Sequence, residues 1–522
     1  MSNFMNALEK TSLSGANNVS VTENGATGYR NTKSKLVDLN FMLSSMRNMG
    51  TKEIWARFLD AYAEDPNLAV IWLFFARDRE EGCGERRTFR VIFNQLCHEN
   101  PDLAKKLLQL IPRYGRWDDL IDVYFSDAPC IVRDEAFNII DAMLSLDLDR
   151  ARAGKPVSLL AKWMPSPATS SFETCRRANV LRCQLGWTPK QYRKTLSRLR
   201  KVIGVVEQSM SANEWDKINY EHVPSKASMI YRDAFRRHDN ERYDEYLSKV
   251  KSGEAKIHAG VLYPYDIVHA YGNNWSIKPV DDTLEEQWKA LPDNVPENES
   301  TLVVVDGSGS MSCRIGNNTQ LSCHDVARSL AIYFAERIKG EFHNKFITFS
   351  ATPRLVTFND GMSLRNRIDL LRHYDECSNT NIEATFDLIL KTAVENNLKA
   401  EDIPANILII SDMEFDAATA CYSAGTMLGR GRFIRADEKL FDTIRRKWKE
   451  EGYRLPRLVF WNVCSRTGTI PVAENDLGVA LVSGFSPNIA DMVMSGELDP
   501  YTCLVNKLLS GRYEAVEKVL KE

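Results

Sequence analysis

The hydrophobic pattern of this sequence changes near residue 300, and that change constrains the fold more than any other feature. From about residue 36 to residue 268, apolar residues recur at three- and four-residue steps, as in KEIWARFLDAYAEDP and PDLAKKLLQLIPRYG. Proline and glycine interrupt these segments at short intervals, as is typical of helix hairpins. After residue 300, apolar runs such as TLVVV and ANILIIS alternate with amphipathic helical stretches. That alternation predicts a parallel sheet covered by helices on both faces.

We therefore predict a multidomain α and α/β chain with four parts. Residues 1–35 are rich in Asn, Ser, Thr and Gly and are expected to form a flexible N-terminal arm. Residues 36–280 are predicted to form an irregular, HEAT-like helical-repeat module, because the sequence shows no strict repeat period. Residues 281–300 carry seven acidic residues, one lysine and two prolines, which predicts an acidic linker. Residues 301–522 are predicted to form a doubly wound, Rossmann-like domain with C-terminal helices.

The composition excludes several classes of protein. Of the 522 residues, 44% are hydrophobic and 26% are charged, which is ordinary for a globular protein and excludes a mostly disordered chain. The longest unbroken apolar run, LAVIWLFFA, has nine residues, whereas a membrane span needs about 20, so we expect no membrane association. The eleven cysteines are scattered and show no C-x-x-C spacing, which favours free thiols and a cytoplasmic location.

Carboxylate and hydroxyl side chains gather at the predicted strand ends. The strand TLVVV runs directly into Asp306-Gly307-Ser308-Gly309-Ser310, and the strand ILIIS runs into Asp412. Between them, Thr380 stands at the start of a predicted helix. Ligand sites of parallel sheets lie at the carboxyl ends of the strands. Oxygen ligands of this kind suit Mg²⁺, so the sequence predicts a magnesium site formed by these side chains.

The five residues Asp306, Ser308, Ser310, Thr380 and Asp412 resemble the metal-ion-dependent adhesion site of the von Willebrand factor A family, over roughly residues 300–500. The resemblance implies that the two serines bind Mg²⁺ directly, the threonine directly or through water, and the last aspartate through water. It also implies a vacant coordination position for an acidic group of a protein partner. The alternative is that the motif is only a turn and a helix cap. Glu414 and Asp416 depart from the simplest form of the motif, and the sequence leaves open whether they lie beside the metal or in solvent.

The front part of the chain carries a second resemblance. FFARDREEGCGERRTFR (74–90) and IPRYGRWDDL (111–120) resemble the TROVE module, the helical-repeat ring of the Ro autoantigen and its relatives. YRKTLSRLRKVIGVVE, which begins at residue 192, resembles an uncharacterised TROVE-like branch with the same two-part layout. The resemblance implies RNA as a partner. Ro-type proteins thread single-stranded RNA ends through the ring and hold structured RNA on a basic outer face.

The sequence KQYRKTLSRLRK, residues 190–201, holds six basic residues and no acidic residue. At 100° per residue, four of its cations share one helical face, and apolar residues occupy the opposite face. Such a row attracts phosphates by charge and counterion release, whereas a solvated helix face is the alternative. The predicted RNA-binding residues are Lys190, Arg193, Lys194, Arg198, Arg200 and Lys201, with the pairs Arg176/Arg177 and Arg236/Arg237. Arg430, Arg432 and Arg435 form a further basic group, suited to an acidic partner, to RNA phosphate or to a flexible loop.

Enzymatic functions find little support in the sequence. The eight histidines form no H-E-x-x-H pattern, and neither a Walker A motif nor a G-x-S-x-G elbow is present. We therefore expect a non-catalytic RNA-binding scaffold whose adhesion-type site holds Mg²⁺ or another divalent cation. A protein-binding scaffold, whose metal site grips an acidic residue of a partner and which binds no RNA, remains the alternative.

Overall fold

The computed structural model describes residues 18–273, 276–295, 300–316, 320–349, 351–374, 379–416, 440–471, 479–490 and 499–522. The chain folds into two compact units. The first unit comprises Met1–Ala69 and Leu262–Leu509, and the second comprises Val70–Val261 and Ser510–Glu522. This division differs from the predicted boundaries at residues 36, 280 and 300. Hydrophobic periodicity identifies helices and strands, but it does not reveal which helices pack together through long-range contacts.

The first unit is an α/β unit built around a six-stranded sheet. The strands are β1 (Val19–Val21), β2 (Thr27–Tyr29), β3 (Gly272–Asn273), β4 (Ser276–Ile277), β5 (Thr301–Asp306), β6 (Lys345–Phe349), β7 (Arg354–Thr357), β8 (Asn406–Ser411), β9 (Arg457–Asn462) and β10 (Val479–Ser483). The six-stranded sheet has the order β10-β9-β8-β5-β6-β7, while β1 pairs with β2 and β3 pairs with β4. Within the large sheet all neighbours are parallel except β6 and β7, which are antiparallel.

The central strands explain why this sheet must be covered on both faces. Every residue of β5, β8, β9 and β10 is buried, so successive side chains are removed from water on both sides. The helix Cys323–Arg337 packs against β5 and β8. The described helices of this unit are Lys35–Phe41, Thr51–Glu64, Pro264–Ala270, Asp282–Lys289, Cys323–Arg337, Leu364–Arg372, Ile382–Glu395, Leu440–Glu450 and Pro500–Leu508. Short 3-10 turns occur at Ser45–Arg47, Gly309–Ser312, Gly340–Phe342, Ala400–Asp402 and Pro487–Ile489.

Two segments differ from the predicted arm and linker. The described end of the predicted arm, residues 18–35, contains the β1–β2 hairpin, in which Ala26 is buried. The predicted linker contains the helix Asp282–Lys289, whose Trp288 is 2% exposed and donates a 2.6 Å hydrogen bond to Glu336. The acidic composition was misleading because Glu285 caps another helix, accepting the backbone N–H of Leu364 at 2.8 Å.

The second unit is helical. Its helices are Pro66–Arg77 (from Val70 onward), Arg86–Glu99, Pro101–Leu107, Ile111–Tyr114, Trp117–Phe125, Cys130–Arg152, Leu160–Trp163, Phe172–Gln184, Pro189–Ile203, Val206–Ser211, Ser225–His238, Asn240–Ser252 and Glu514–Lys521. Short 3-10 turns occur at Leu108–Leu110, Trp215–Lys217, Tyr220–His222 and Gly511–Tyr513. The chain is therefore a multidomain protein with a helical unit and an α/β unit.

A buried charge network joins the two short motifs of the second unit that resemble TROVE. The guanidinium of Arg77 donates to Asp119 Oδ2 at 2.9 Å and 2.5 Å, and Arg90 donates to Asp119 Oδ1 at 2.7 Å. Position 82 requires glycine for steric reasons, because a Cβ there would lie 2.1 Å from the backbone oxygen of Phe75. These motif residues therefore stabilise the helical unit by packing and ion pairing.

Two absences concern only the part of the chain that the structure describes. Within it, no helix combines the length and the apolar character needed to cross a bilayer. The cysteines of the same residue ranges form no disulfide bonds.

Candidate metal site and basic helix

Two neighbouring strands of the six-stranded sheet lead into carboxylates. β5 ends at Asp306, and Asp412 follows the last residue of β8, which pairs with β5 in parallel. Parallel neighbours place their carboxyl ends at the same sheet edge, so both carboxylates lie at that edge. Each of these residues is only 1% exposed. The structure therefore brings together the two carboxylates that the sequence predicted as metal ligands.

The turn after β5 places two hydroxyl groups beside Asp306. The backbone N–H of Ser308 donates a 2.9 Å hydrogen bond to Asp306 Oδ1, which fixes the path of the turn. The hydroxyl oxygens of Ser308 and Ser310 lie 2.9 Å apart. Ser308 is fully buried, whereas Ser310 is half-buried. The cluster of oxygens therefore reaches the protein surface at Ser310.

Thr380 precedes the helix Ile382–Glu395 and is bonded to the segment that follows Asp412. Its carbonyl oxygen accepts the backbone N–H of Asp416 at 3.0 Å. The Thr380 hydroxyl accepts a 3.0 Å hydrogen bond from the side-chain amide of Asn24. A threonine hydroxyl has two lone pairs, so this contact leaves one available for another group.

The two buried carboxyls carry an electrostatic cost. Burial raises the pKa of Asp306 to about 6, against hydrogen bonds from Ser308 and Ser411 that lower it. Burial and then repulsion by Asp306 raise the pKa of Asp412 to about 7. Asp412 Oδ2 accepts no hydrogen bond from the described residues, and it lies 3.5 Å from Arg466 Nη2. A cation between the carboxyls would relieve both the repulsion and the unsatisfied oxygen.

The chemistry of these groups fits a hard divalent cation. Two carboxylates and three hydroxyls are oxygen ligands of the kind that Mg²⁺ prefers, and Mg²⁺ commonly keeps several waters. Among the described residues, no group of three or more His, Cys, Asp and Glu side chains could hold a metal ion. A metal at this edge would therefore depend on the hydroxyls of Ser308, Ser310 and Thr380 as well as on the two carboxylates.

Glu414 has a structural role that the sequence did not reveal. Its side chain is fully buried and accepts backbone N–H bonds of 2.8 Å from Glu23, 2.8 Å from Arg466 and 2.9 Å from Thr467. The hydroxyl of Ser465 also donates to it at 3.2 Å. Glu414 therefore fastens the N-terminal hairpin and the loop after β9 to the end of β8. The sequence left open whether Glu414 lies beside the metal or in solvent, and its burial excludes solvent.

The predicted basic helix is present as Pro189–Ile203. Thr188 caps its first turn in a capping box with Gln191, and Gly204 ends it in the left-handed conformation with φ 74°. The apolar face is buried at Tyr192, Leu196 and Leu199. The opposite face is exposed at Lys190, Arg193, Lys194, Arg198 and Lys201, which we call the basic ridge.

The remaining predicted RNA-binding arginines have different surroundings. Arg200 is half-buried and donates to the backbone oxygens of Ala161 and Met164 and to the hydroxyl of Ser166, at 2.8 to 2.9 Å. Its guanidinium therefore holds the helix in place. The other four arginines are the two sequence pairs, and each pair has its own surroundings. Arg176 and Arg177 both bind Glu173, Arg236 lies 6.0 Å from the Tyr243 ring centroid, and Arg237 is exposed.

Arg430, Arg432 and Arg435 lie outside the described residues. Only the described side chains can therefore be used to argue which partner the metal site would bind. Those include Arg466, whose side chain is 30% exposed and lies beside Asp412, and which no sequence motif distinguished from other arginines.

Two family models match parts of this chain, and their common boundary near residue 300 is not a boundary between the two compact units. A family model described as a domain of unknown function (DUF7788) matches residues 300–506, and another, also described as a domain of unknown function (DUF2828), matches residues 182–301. The two matches meet where β5 begins. The chain is also 29% identical to the uncharacterized protein L728 of Acanthamoeba polyphaga mimivirus, over 94% of this chain and 87% of that protein. None of these descriptions names a ligand or an activity.

Proposed function

We propose that this chain is a non-catalytic RNA-binding scaffold of the Ro type. In this proposal the second unit is a HEAT-like TROVE module that binds RNA. The first unit is a von Willebrand factor A-like domain that holds Mg²⁺. The proposal is supported by the sequence resemblances and by the charge arrangement on the helix Pro189–Ile203.

The observation that carries the RNA proposal is the basic ridge. Lys190, Arg193, Lys194 and Arg198 form no ion pair with the described residues, so their charge is not neutralised within the fold. From Lys190 to Lys201 the helix rises about 16 Å, long enough to follow several phosphates of one strand. Long, flexible cationic side chains on one face suit contacts to phosphate, which give affinity without sequence readout.

Hydrogen bonds fix this helix to neighbouring residues, which favours a binding surface over a loosely attached solvated face. Arg200 fixes it to residues 161–166, and the hydroxyl of Tyr192 donates a 2.9 Å hydrogen bond to the backbone oxygen of Pro165. Beside it lies an open cavity of about 890 Å³ whose lining includes Trp163, Arg200 and Lys201. An aromatic ring with nearby cations can stack unpaired bases.

The metal part of the proposal rests on the oxygen cluster at the sheet edge. Asp306, Ser308 and Ser310 would hold Mg²⁺ with Thr380 and Asp412, and bound Mg²⁺ would supply a positive centre for an acidic group. The same geometry favours the alternative function, a scaffold that binds only proteins. Its specific support is the half-buried Ser310, because the cluster there is open to a partner's carboxylate.

The decisive experiment compares two variants of the full chain that change the same number of charges. In the ridge variant, four cations of the basic ridge become glutamate: Lys190, Lys194, Arg198 and Lys201. In the control variant, four exposed lysines of the same unit, each paired with a glutamate, become glutamate: Lys217, Lys249, Lys518 and Lys521. Filter binding to a single-stranded RNA measures affinity, and melting temperature checks folding.

The ridge variant is expected to bind RNA much more weakly than the control variant. Its folding should be little changed, because a glutamate near the helix N-terminus is favourable and one near the C-terminus is unfavourable by a similar amount. Equal losses in both variants would mean that only net charge matters. Unchanged binding in the folded ridge variant, or wild-type protein that binds no RNA, would favour the protein-only scaffold.

A further inference from the structure

The N-terminal hairpin, residues 18–30, is bonded to the loops of the candidate metal site. It consists of β1, β2 and the turn between them. The hydroxyl of Thr22 donates a 2.6 Å hydrogen bond to the backbone oxygen of Phe415, and the backbone N–H of Glu23 donates to Glu414 at 2.8 Å. The side-chain amide of Asn24 donates to the backbone oxygen of Glu414 at 2.6 Å. The turn is therefore fixed to the residues that follow Asp412.

The base of the hairpin is fixed independently of its turn. Tyr29 and Ile470 exchange both backbone hydrogen bonds, each 2.8 Å long. The hydroxyls of Ser20 and Thr469 lie 2.9 Å apart. At Gly28 a Cβ would lie 2.6 Å from the backbone oxygen of Ile470, so the two segments approach as closely as glycine allows. This backbone pairing holds the turn at the sheet edge independently of the contacts that the side chains of the turn make.

One side chain of the turn bonds to a predicted metal ligand, and another is linked to one through Arg466. Asn24 donates to the Thr380 hydroxyl at 3.0 Å. The Glu23 carboxylate lies 2.6 Å from Arg466 Nη2, and the same nitrogen lies 3.5 Å from Asp412 Oδ2. One guanidinium thus bridges an acidic group of the hairpin and an acidic group of the site.

We propose that the N-terminal hairpin is the internal ligand of the metal site, with Glu23 as its acidic group. This inference rests on the proposed Mg²⁺ site. Glu23 occupies the side of the site that an acidic partner would approach. Its carboxylate competes with a carboxylate of that partner for the same positive charges. Asn24 is a positioning residue, because its amide orients the hydroxyl of Thr380. A partner with an exposed Glu or Asp therefore binds only at the expense of Glu23.

The Glu23 side chain is suited to such an exchange. It is 57% exposed, and its partner Arg466 is 30% exposed, so water can replace the ion pair at low cost. The backbone contacts of the hairpin need not break when the carboxylate leaves. Competition of this kind is expected to change the affinity for an acidic ligand by about two- to five-fold, the range typical of exposed ion pairs.

The test uses the full chain and a fluorescent poly-glutamate peptide as the probe. Calorimetric titration first measures Mg²⁺ binding to the wild type, Glu23→Gln, Asn24→Ala and a control, Glu53→Gln. Glu53 is a matched control because it is 53% exposed and paired with Arg57 in the same unit. Fluorescence anisotropy then measures peptide binding to each protein at saturating Mg²⁺ and in EDTA.

Glu23→Gln is expected to bind the peptide about two- to five-fold more tightly than the wild type at saturating Mg²⁺, while Glu53→Gln equals the wild type. The difference should vanish in EDTA. Asn24→Ala is expected to bind Mg²⁺ more weakly, because the Thr380 hydroxyl loses its fixed orientation. If Mg²⁺ binds but Glu23→Gln and Glu53→Gln behave alike, the internal-ligand proposal is wrong. If the wild type binds no Mg²⁺, the metal site itself is wrong and the inference is lost with it.

Discussion

Replacing Asp306 by Asn is expected to stabilise the metal-free protein at pH 8 and to abolish Mg²⁺ binding. The substitution removes a buried charge, keeps the bond from Ser308 and reverses the bond to Ser411, whose hydroxyl proton loses its acceptor. Asp306 Oδ1 would still accept from the backbone N–H of Ser308. The new amide would donate to the hydroxyl oxygen of Ser411, which already accepts the Met413 N–H at 2.9 Å and can accept once more. The gain from the lost charge is therefore offset in part by the Ser411 hydroxyl, which no longer has an acceptor.

The sign and the size follow from the pKa of Asp306. Burial raises that pKa from 3.8 to about 6 in the folded protein. The stability contributed by the bound proton is fully present below pH 3.8 and is lost as pH rises through about 6. A shift of this size corresponds to about 3 kcal/mol at pH 8. Because Asp412 shares part of the repulsion and the Ser411 hydroxyl loses its acceptor, we expect a gain of about 1–2 kcal/mol for the Asn variant, or roughly 2–3 °C in Tm.

Thermal unfolding at pH 5 and pH 8, in EDTA and in excess Mg²⁺, measures this effect. In EDTA the Asn variant should melt above the wild type at pH 8, and the gap should be about half as large at pH 5. In Mg²⁺ at pH 8 the wild type should gain stability by ligand binding and the Asn variant should not. Asp38→Asn is the control, since burial also raises the pKa of Asp38, yet Mg²⁺ should have no effect specific to that variant. A lower Tm for Asp306→Asn in EDTA at pH 8, or an equal response of both proteins to Mg²⁺, would refute the reasoning.

Three further predictions can be checked by urea unfolding. Glu414→Ala should destabilise the chain by about 1–3 kcal/mol, because it removes the buried carboxylate that accepts the part-buried N–H groups of Glu23, Arg466 and Thr467. Trp288→Ala should cost about 3–5 kcal/mol, whereas a true linker residue would cost almost nothing. Arg200→Ala should cost more than about 1 kcal/mol, and its exposed neighbour Arg198→Ala should stay within about 0.5 kcal/mol of the wild type. Equal effects in the last pair would contradict the structural role of Arg200.

The elements of the fold were largely accessible from the sequence, and their assembly was not. The strands β5 and β8 occur where the apolar runs TLVVV and ANILIIS predicted them, because a strand buried on both faces is apolar along most of its length. The segment predicted as a linker contains the helix Asp282–Lys289, in which Leu284 and Trp288 are buried, and so are Glu285 and Glu286; Glu285 accepts a backbone N–H of the helix Leu364–Arg372. Composition cannot distinguish such a helix from a solvated connection.

The candidate site shows the same limit. Asp306, Ser308 and Ser310 are close in sequence and follow one strand, so a local motif was enough to predict that they converge. Glu23 and Arg466 are separated by more than 400 residues, and each looks like an ordinary surface charge in the sequence. Their pairing depends on the docking of the hairpin, a tertiary contact with no local signal. Arg200 has the opposite problem, since its place in a basic run concealed its structural bonds.

The salt dependence of RNA binding tests the central claim most directly. Filter binding of the full chain to a single-stranded RNA gives the slope of log affinity against log salt concentration. If the ridge cations contact phosphates, changing Lys190, Lys194, Arg198 and Lys201 to glutamate should make this slope shallower by about 3, at roughly 0.7 per lost contact. The variant with four changed lysines elsewhere in the same unit should keep a slope close to that of the wild type. A folded ridge variant with wild-type slope and affinity would contradict RNA binding by this helix.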